Sequence, residues 1–319
     1  MLLTRPLVSF LVPAYNVAPF IRETLASVLS SDRDDIEIVV VNDGSTDETP
    51  AILASIQDPR LRVVHQHNKG LPATRNTGIV HSRGEFLVFL DGDDLFEMDA
   101  LDQLVDALRA DPEAVLSYGV CNKFYGDGRH WAPSPYGKIK PRPSGHLLGE
   151  IVQRNFIGPP GCCCVRRSAA EQAGLFDVTL RMCEDWEFYS RVAAVGKFAF
   201  VPVTCLRYRQ HDTSMSKLLG AKAENYTRFT ETLFANPSVA GGFDAAELQR
   251  LRRSHDAHIR AYIAQLALEG RAYGKSLREL VSAVRTYPPR AFEFVARYGW
   301  IALQGLRTAR PPVASGAKP

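Results

Sequence analysis

Cysteine is scarce in this 319-residue chain and badly placed for either of its structural uses. Of the six, Cys162, Cys163 and Cys164 are consecutive, and Cys121, Cys183 and Cys205 stand alone. That spacing suits neither a disulfide framework nor paired zinc ligands, so buried free thiols in a reducing compartment are the expectation. A large charge of one sign is also missing. The net charge is +3, and no concentrated basic stripe occurs in the first two hundred residues, which excludes an ordinary nucleic-acid binder. The opening MLLTRPLVSFLVPAYN is interrupted by Arg5, Pro6 and Pro13 and has no small-residue cleavage site. It is too short for a membrane span and reads as a first strand, so a cytoplasmic protein is expected. There is no internal repeat and no glycine-rich basic phosphate loop.

What remains is an ordinary globular composition, with 45% hydrophobic and 23% charged residues, at a length that buries a substantial core. Short runs rich in Val, Ile, Leu and Phe fall at Leu7 to Val12, Ile36 to Val41, Leu61 to His65 and Glu85 to Leu90. Segments with helical spacing separate them at Phe20 to Leu29, Thr46 to Ile56 and Leu71 to Val80. Strands without alternation, divided by helices, indicate an α/β fold with a mainly parallel sheet covered on both faces.

Ligands of such sheets bind beyond the carboxyl ends of the strands. The residues there are Pro13-Ala14-Tyr15-Asn16, then Asn42 to Thr49, then His67 to Gly70, then Asp91-Gly92-Asp93-Asp94. Four polar clusters therefore converge on one sheet edge. Further along, Leu101 to Ala110 reads as a helix, Ala114 to Phe124 as a strand and Tyr125 to Gly145 as a loop bordering the site. Cys162 to Arg166 follows as a strand, Arg167 to Ala173 and Cys183 to Ala194 as helices, and Phe198 to Arg209 as one or two strands. The expected division is 1–216, split near 112 into nucleotide and acceptor halves, a helical region over 217–309, and a disordered tail over 310–319.

Asp91, Asp93 and Asp94 cannot all remain ionised at close range without a counter-charge. A hard divalent cation, Mg²⁺ or Mn²⁺, resolves this, taking one or two carboxylates together with substrate phosphates. The plainer alternative is a solvated turn in which Asp94 or Asp99 caps the next helix. Around Asp43, Ser45 or Thr46 serves as a helix cap and Asp47 and Glu48 suit the helix dipole, which leaves Asp43 free to accept a hydrogen bond from a base N–H. Glu184-Asp185 opens a predicted helix, where capping competes with a general-base role. His211, among hydroxyl residues, can complete an oxygen-rich metal site or simply be structural. Arg75 and Asn76 can meet phosphate or ribose, or sit on an exposed helix face.

VSFLVPAYN, IEIVVVNDGSTDET, NKGLPATRNTG, GEFLVFLDGDD, GPPG, CEDWEF and YRQHDTSMS, in this order from Val8 to Ser216, resemble the family-2 glycosyltransferases of the GT-A fold. The resemblance implies inverting transfer of a sugar from a nucleotide-diphosphate donor, a UDP-sugar by preference, to a hydroxyl of a glycan or lipid-linked acceptor in envelope polysaccharide synthesis. It implies that Pro13, Ala14, Tyr15 and Asn16 line the nucleotide pocket, Asp43 contacts the base, and Arg75 lies near ribose or diphosphate. Asp91 with Gly92 and Asp93 matches the DxD signature, in which Asp93 ligates Mn²⁺ or Mg²⁺ and Asp91 holds the ribose. Asp94 stands behind them, His211 approaches metal and diphosphate, and Asp185 is the general base with Glu184 in support. Thr74, where the family often has Ala, and Ser30-Ser31-Asp32, where it often has Gln, depart from the pattern and leave the donor open.

Two other classes stay in view: a catalytically silent nucleotide-binding subunit of an assembly complex, and a nucleotidyltransferase, for which the phosphate loop is missing. From Leu277 to Arg307, Arg alternates with Phe, Tyr, Trp and Leu. Such a segment suits an anionic membrane surface at the inner face of the membrane, a homodimer contact, or an amphipathic helix packed on its own domain, the simplest of the three.

Overall fold

The computed structural model describes residues 5–125, 139, 141–211 and 223–308. Most of the Tyr125 to Gly145 loop, residues 212–216 of the last motif and the 310–319 tail lie outside the described residues.

Eight strands form one sheet: β1 Val8–Ala14, β2 Ile36–Asn42, β3 Leu61–His65, β4 Phe86–Phe89, β5 Leu95–Phe96, β6 Ala114–Tyr125, β7 Cys163–Arg166 and β8 Lys197–Gln210. Their spatial order is β3-β2-β1-β4-β7-β6-β8-β5. The β3-β2-β1-β4 half is parallel throughout, with Ala14 level with Asn42, Asn42 with His65 and Leu11 with Phe89. Strand β7 runs antiparallel to both β4 and β6, β8 lies parallel to β6 with register shifts, and β5 closes the far edge antiparallel to β8. Every residue of β2 and β4 is buried, and in β1 only Pro13 is partly exposed. This burial on both faces is why the hydrophobic runs show no alternation.

The helices are α1 Ile21–Leu29, α2 Thr49–Ala54, α3 Leu71–His81, α4 Leu101–Ala110, α5 Leu148–Ile151, α6 Arg167–Ala173 and α7 Glu184–Ala193. Then come α8 Ala223–Ala235, α9 Pro237–Ala240, α10 Ala245–Glu269, α11 Tyr273–Thr286 and α12 Ala291–Thr308. Helix α4 shows the expected logic: Leu101, Leu104, Val105 and Leu108 form one buried stripe at helical spacing. The apolar core continues past residue 216, because Phe229 of α8 and His255 of α10 pack on Trp186 of α7, with ring centroids 4.9 and 5.1 Å away. All six cysteines are free thiols, with Cys162, Cys163, Cys164 and Cys205 buried.

Two local expectations are corrected. Neither Ser45 nor Thr46 caps α2, which begins at Thr49 with Pro50 in its first turn. Asp47 takes the Thr49 amide, at 3.0 Å, and Ser45 and Thr46 instead bind Asn16, whose amide donates to Ser45 Oγ and whose Oδ1 accepts the Thr46 amide. Nor does Asp94 or Asp99 cap α4, since no side chain caps either the short 3₁₀ turn at Met98–Ala100 or the helix after it. A two-residue strand, β5, also follows the acidic turn, too short to show a period in the sequence.

Candidate active site

The parallel register places the ends of β1, β2, β3 and β4 side by side, so the four polar clusters share one edge of the sheet. The turn after β4 presses directly on the end of β1. A Cβ at Gly92 would lie 2.8 Å from the Pro13 carbonyl oxygen, so only glycine fits there without a backbone shift, and Thr24 of α1 donates to the Gly92 carbonyl at 3.0 Å. Tyr15 is 49% exposed at this edge.

Asp43 is buried and holds the loop after β3. Its carboxylate accepts hydrogen bonds from the Lys69 amide at 2.8 Å, the Gly70 amide at 2.9 Å and the Gln66 side chain at 2.7 Å. A carboxylate offers about four acceptor positions, so these three bonds leave one unused. Gly70, at φ +86, turns that loop into α3.

Helix α3 carries Arg75 into the interior, against the alternative of an exposed helix arginine. The guanidinium is fully enclosed and forks between two carboxylates, Nη2 to Asp91 at 2.8 Å and Nη1 to Glu184 at 2.5 Å. Phe176 lies under it, 5.6 Å from ring centroid to guanidinium carbon. Burial works against the charge on Arg75, but the carboxylates of Asp91, Glu184 and Asp185 outweigh it and hold its pKa above the ordinary value. Asn76, by contrast, is spent on structure, exchanging hydrogen bonds of 2.9 and 2.8 Å with the Phe176 backbone.

The Arg75 fork joins positions 91 and 184, which no local pattern connects. Cys183, in a left-handed conformation at φ +60, turns the chain into α7 so that Glu184 and Asp185 open it. Asp185 is pushed up to about 7, first by burial and then by repulsion from Glu184, with Arg75 pulling the other way. A carboxyl poised there exchanges protons near neutral pH, which suits a general base.

The acidic turn is organised on its other side by the end of β8. His211 Nε2 lies 2.8 Å from Asp93, and its ring packs on Phe20, with centroids 4.6 Å apart. The Arg209 amide donates to Asp94 at 2.8 Å, and its guanidinium reaches the Asp93 carbonyl at 2.7 Å and Glu23 at 2.7 Å. Burial, then repulsion from Asp91, raises the pKa of Asp93, and burial followed by both neighbouring aspartates raises that of Asp94 further. The Asp94 Oδ2 atom is buried without a partner among the described residues. Arg209 and Glu23 escaped the sequence reading. Arg209 sits two residues before His211 inside a motif singled out for its histidine, whereas nothing in the sequence around Glu23 marks it.

The model for "Glycosyl transferase family 2" matches residues 9–174, more than half of the chain. The chain belongs to glycosyl transferase family 2. An uncharacterized glycosyltransferase, EpsJ of Bacillus subtilis, is 35% identical over 220 residues, covering 67% of this chain and 64% of EpsJ. The succinoglycan biosynthesis protein ExoO of Rhizobium meliloti is 32% identical over 224 residues, with the same two shares. The chain thus spans just under two thirds of the length of these relatives. Among solved structures, S. aureus TarS 1-349 in complex with UDP-GlcNAc superposes with a TM-score of 0.63 at 18% identity, covering 97% of this chain and 95% of that one. A mannosyltransferase from Pyrobaculum calidifontis, in complex with GDP-Man and Mn²⁺, gives 0.56 at 22% identity, covering 95% and 83%. These likenesses show the fold, which is of the GT-A type with C-terminal helices, as the family-2 motifs imply.

Among the described residues, no group of three or more His, Cys, Asp or Glu is arranged to hold a metal ion. The side chains of Asp91 and Asp93 are each 25% exposed at the sheet edge, and His211 adjoins Asp93. That set fits a hard cation whose remaining ligands come from diphosphate and water, and it does not form an all-protein cage.

Proposed function

We propose that this chain is an inverting, metal-dependent glycosyltransferase that moves a sugar from a UDP-sugar to a hydroxyl of a glycan or lipid-linked acceptor, at the inner face of the membrane, in bacterial polysaccharide synthesis. The observation that carries the reading is the buried Arg75 fork. It ties Asp91, on the donor side of the sheet edge, to Glu184, next to a carboxyl suited to base catalysis. The UDP-GlcNAc bound by TarS supports a uridine donor, and the biosynthetic role of ExoO supports a polysaccharide product.

In this reading Tyr15, with Pro13, Ala14 and Asn16, forms the wall against which the base lies, and Asp43 gives its remaining acceptor position to a base N–H. Asp91 and Gly92 meet the ribose side, and Asp93, with His211 beside it, holds a cation. Mn²⁺ or Mg²⁺ there supplies charge neutralisation for the departing diphosphate. Asp185 takes the acceptor hydroxyl proton as its oxygen attacks the anomeric carbon from the face opposite the diphosphate, which inverts configuration. Glu184 keeps Asp185 basic, and Arg75 holds both halves in register without touching the sugar. General-base assistance of this kind contributes roughly 10²–10⁴-fold.

The test is incubation with a panel of nucleotide sugars and Mn²⁺, scoring hydrolysis and transfer, with the product anomer read by NMR. Turnover of a UDP-sugar with inversion, lost in Asp93→Ala and Asp185→Asn, is expected. No turnover and no nucleotide binding with any donor refutes the reading.

A further inference from the structure

Helices α11 and α12 bury one side and leave another uncovered. Leu280 and Ala283 of α11 and Phe294 of α12 form a small core with Ala257 and Ala264 of α10. Ser276 adds a hydrogen bond of 2.6 Å to the Ala264 carbonyl. To that extent the packed-helix reading holds. Other positions stay open: Tyr273, Leu277 and Val281, spaced four apart on α11 beside the buried stripe, are 63%, 57% and 41% exposed, and Phe292, Val295 and Trp300 on α12 are 87%, 53% and 61% exposed. These are six of the ten exposed large apolar side chains among the described residues. Single exposed apolar residues need no explanation, but a concentration of six in two adjoining helices does.

Charge selects the occupant. Between residues 270 and 319 there are nine Lys or Arg against two Asp or Glu, so this stretch carries +7 in a chain whose net charge is +3, and the first 269 residues carry −4. Arg271, Lys275, Arg278, Arg285 and Arg297 are exposed around the apolar positions. A second copy presenting the same face would bring like charges together, whereas an anionic lipid surface offers opposite charge for the basic groups and an apolar layer for the aromatics. No helix among the described residues is long and apolar enough to cross a membrane, so contact would be in the plane of the surface.

We infer that the exposed face of α11 and α12 is an interfacial docking surface for an anionic bilayer, with Tyr273, Leu277, Phe292 and Trp300 entering the headgroup layer and the surrounding arginines meeting lipid phosphates. This deepens the membrane-side placement proposed above and gives the surface that would hold the enzyme beside a lipid-linked acceptor. The experiment is vesicle co-sedimentation of the full chain without donor or metal, on phosphatidylcholine alone and on phosphatidylcholine with phosphatidylglycerol, at low and high salt. Binding is expected only to the anionic vesicles. It should fall roughly ten-fold or more in the Arg278→Glu, Arg285→Glu pair and in the Leu277→Ser, Phe292→Ser, Trp300→Ser triple, and weaken with salt. All of these positions are outside the core, and far-UV circular dichroism with a thermal melt, unchanged between variants and wild type, shows that the fold survives. Binding to neither vesicle, or binding that ignores both sets of substitutions, overturns the inference. So does sedimentation velocity showing a wild-type dimer that the apolar triple converts to monomer, because the face then meets a second copy. Since no sugar transfer is read, failure here leaves the catalytic reading standing, and failure of the donor panel leaves this one standing.

Discussion

Replacing the proposed base is expected to stabilise the protein while disabling it. The Asp185 carboxyl is raised from 3.8 to about 7 first by burial and then by repulsion from Glu184, which the one guanidinium of Arg75, shared among Asp91, Glu184 and Asp185, only partly offsets. One pK unit is worth about 1.4 kcal/mol, so ionised Asp185 costs the folded state up to about 4 kcal/mol. Solvent reaching this half-buried group screens part of that, leaving about 2 kcal/mol. The sign follows from proton binding. Between pH 4 and 7 the folded protein keeps a proton that the unfolded chain has lost, so stability declines as pH rises through this window. Asp185→Asn keeps an acceptor for the Trp186 amide, 2.8 Å away in the native protein, and carries no charge. Scanning calorimetry with chelator and without donor should therefore show wild type and variant melting together near pH 4, and the variant melting higher by on the order of 5 °C at pH 8. Transfer should drop by roughly 10²–10⁴-fold at pH 8. A variant that melts at or below wild type at pH 8 would show that Asp185 bears no such ionisation cost, and the case for a neutral-pH base would fall with it.

Three other perturbations probe the same architecture. Arg75→Met leaves Asp91 and Glu184 without their cation and should cost about 3–5 kcal/mol in a denaturant titration, with activity lost even where the fold persists at low temperature. Gly92→Ala puts a methyl 2.8 Å from the Pro13 carbonyl oxygen and must displace the acidic turn, so UDP binding by calorimetry should weaken at least ten-fold while the helical circular dichroism is unchanged. Asp43→Ala strands the Lys69 and Gly70 amides, at about 1–3 kcal/mol for each group left unsatisfied, and hydrogen exchange should speed up over residues 66–70.

The sheet was legible because its central strands are buried on both faces, so that Ile38 to Val41 and Phe86 to Leu90 appear as unbroken apolar runs. The positions of the polar clusters followed from strand order alone. The Arg75 fork was not legible. Arg75 sits in NKGLPATRNTG among residues suited to an exposed helix, and its partners are 16 and 109 residues away. The caps of α2 failed for a related reason: Asn16, 29 residues from Ser45, competes for the hydroxyls that local rules assign to the helix. The C-terminal face was ambiguous because an amphipathic pattern reports that a helix has an apolar side, without saying how much of that side its own domain covers. Leu280 and Leu277 are equally apolar letters, and only the structure separates the buried one from the exposed one.

The acidic edge gathers more negative charge than its own cations offset, and the surplus is distributed unevenly. On the Glu184 side a buried guanidinium fixes the geometry, and burial together with the remaining repulsion from Glu184 raises the basicity of Asp185. On the β8 side Arg209 pins the turn through the Asp94 carboxylate and the Asp93 carbonyl, while the Asp93 carboxylate has His211 as its only ionisable partner among the described residues. In the reading proposed above, Asp93, 25% exposed at the sheet edge, is the carboxylate open to a removable cation, whereas Asp94, with no ionic partner among the described residues, is buried. A chain that bound nucleotide without catalysis would gain nothing from keeping Asp185 near neutrality at a cost in stability, and this favours an enzyme over a silent subunit.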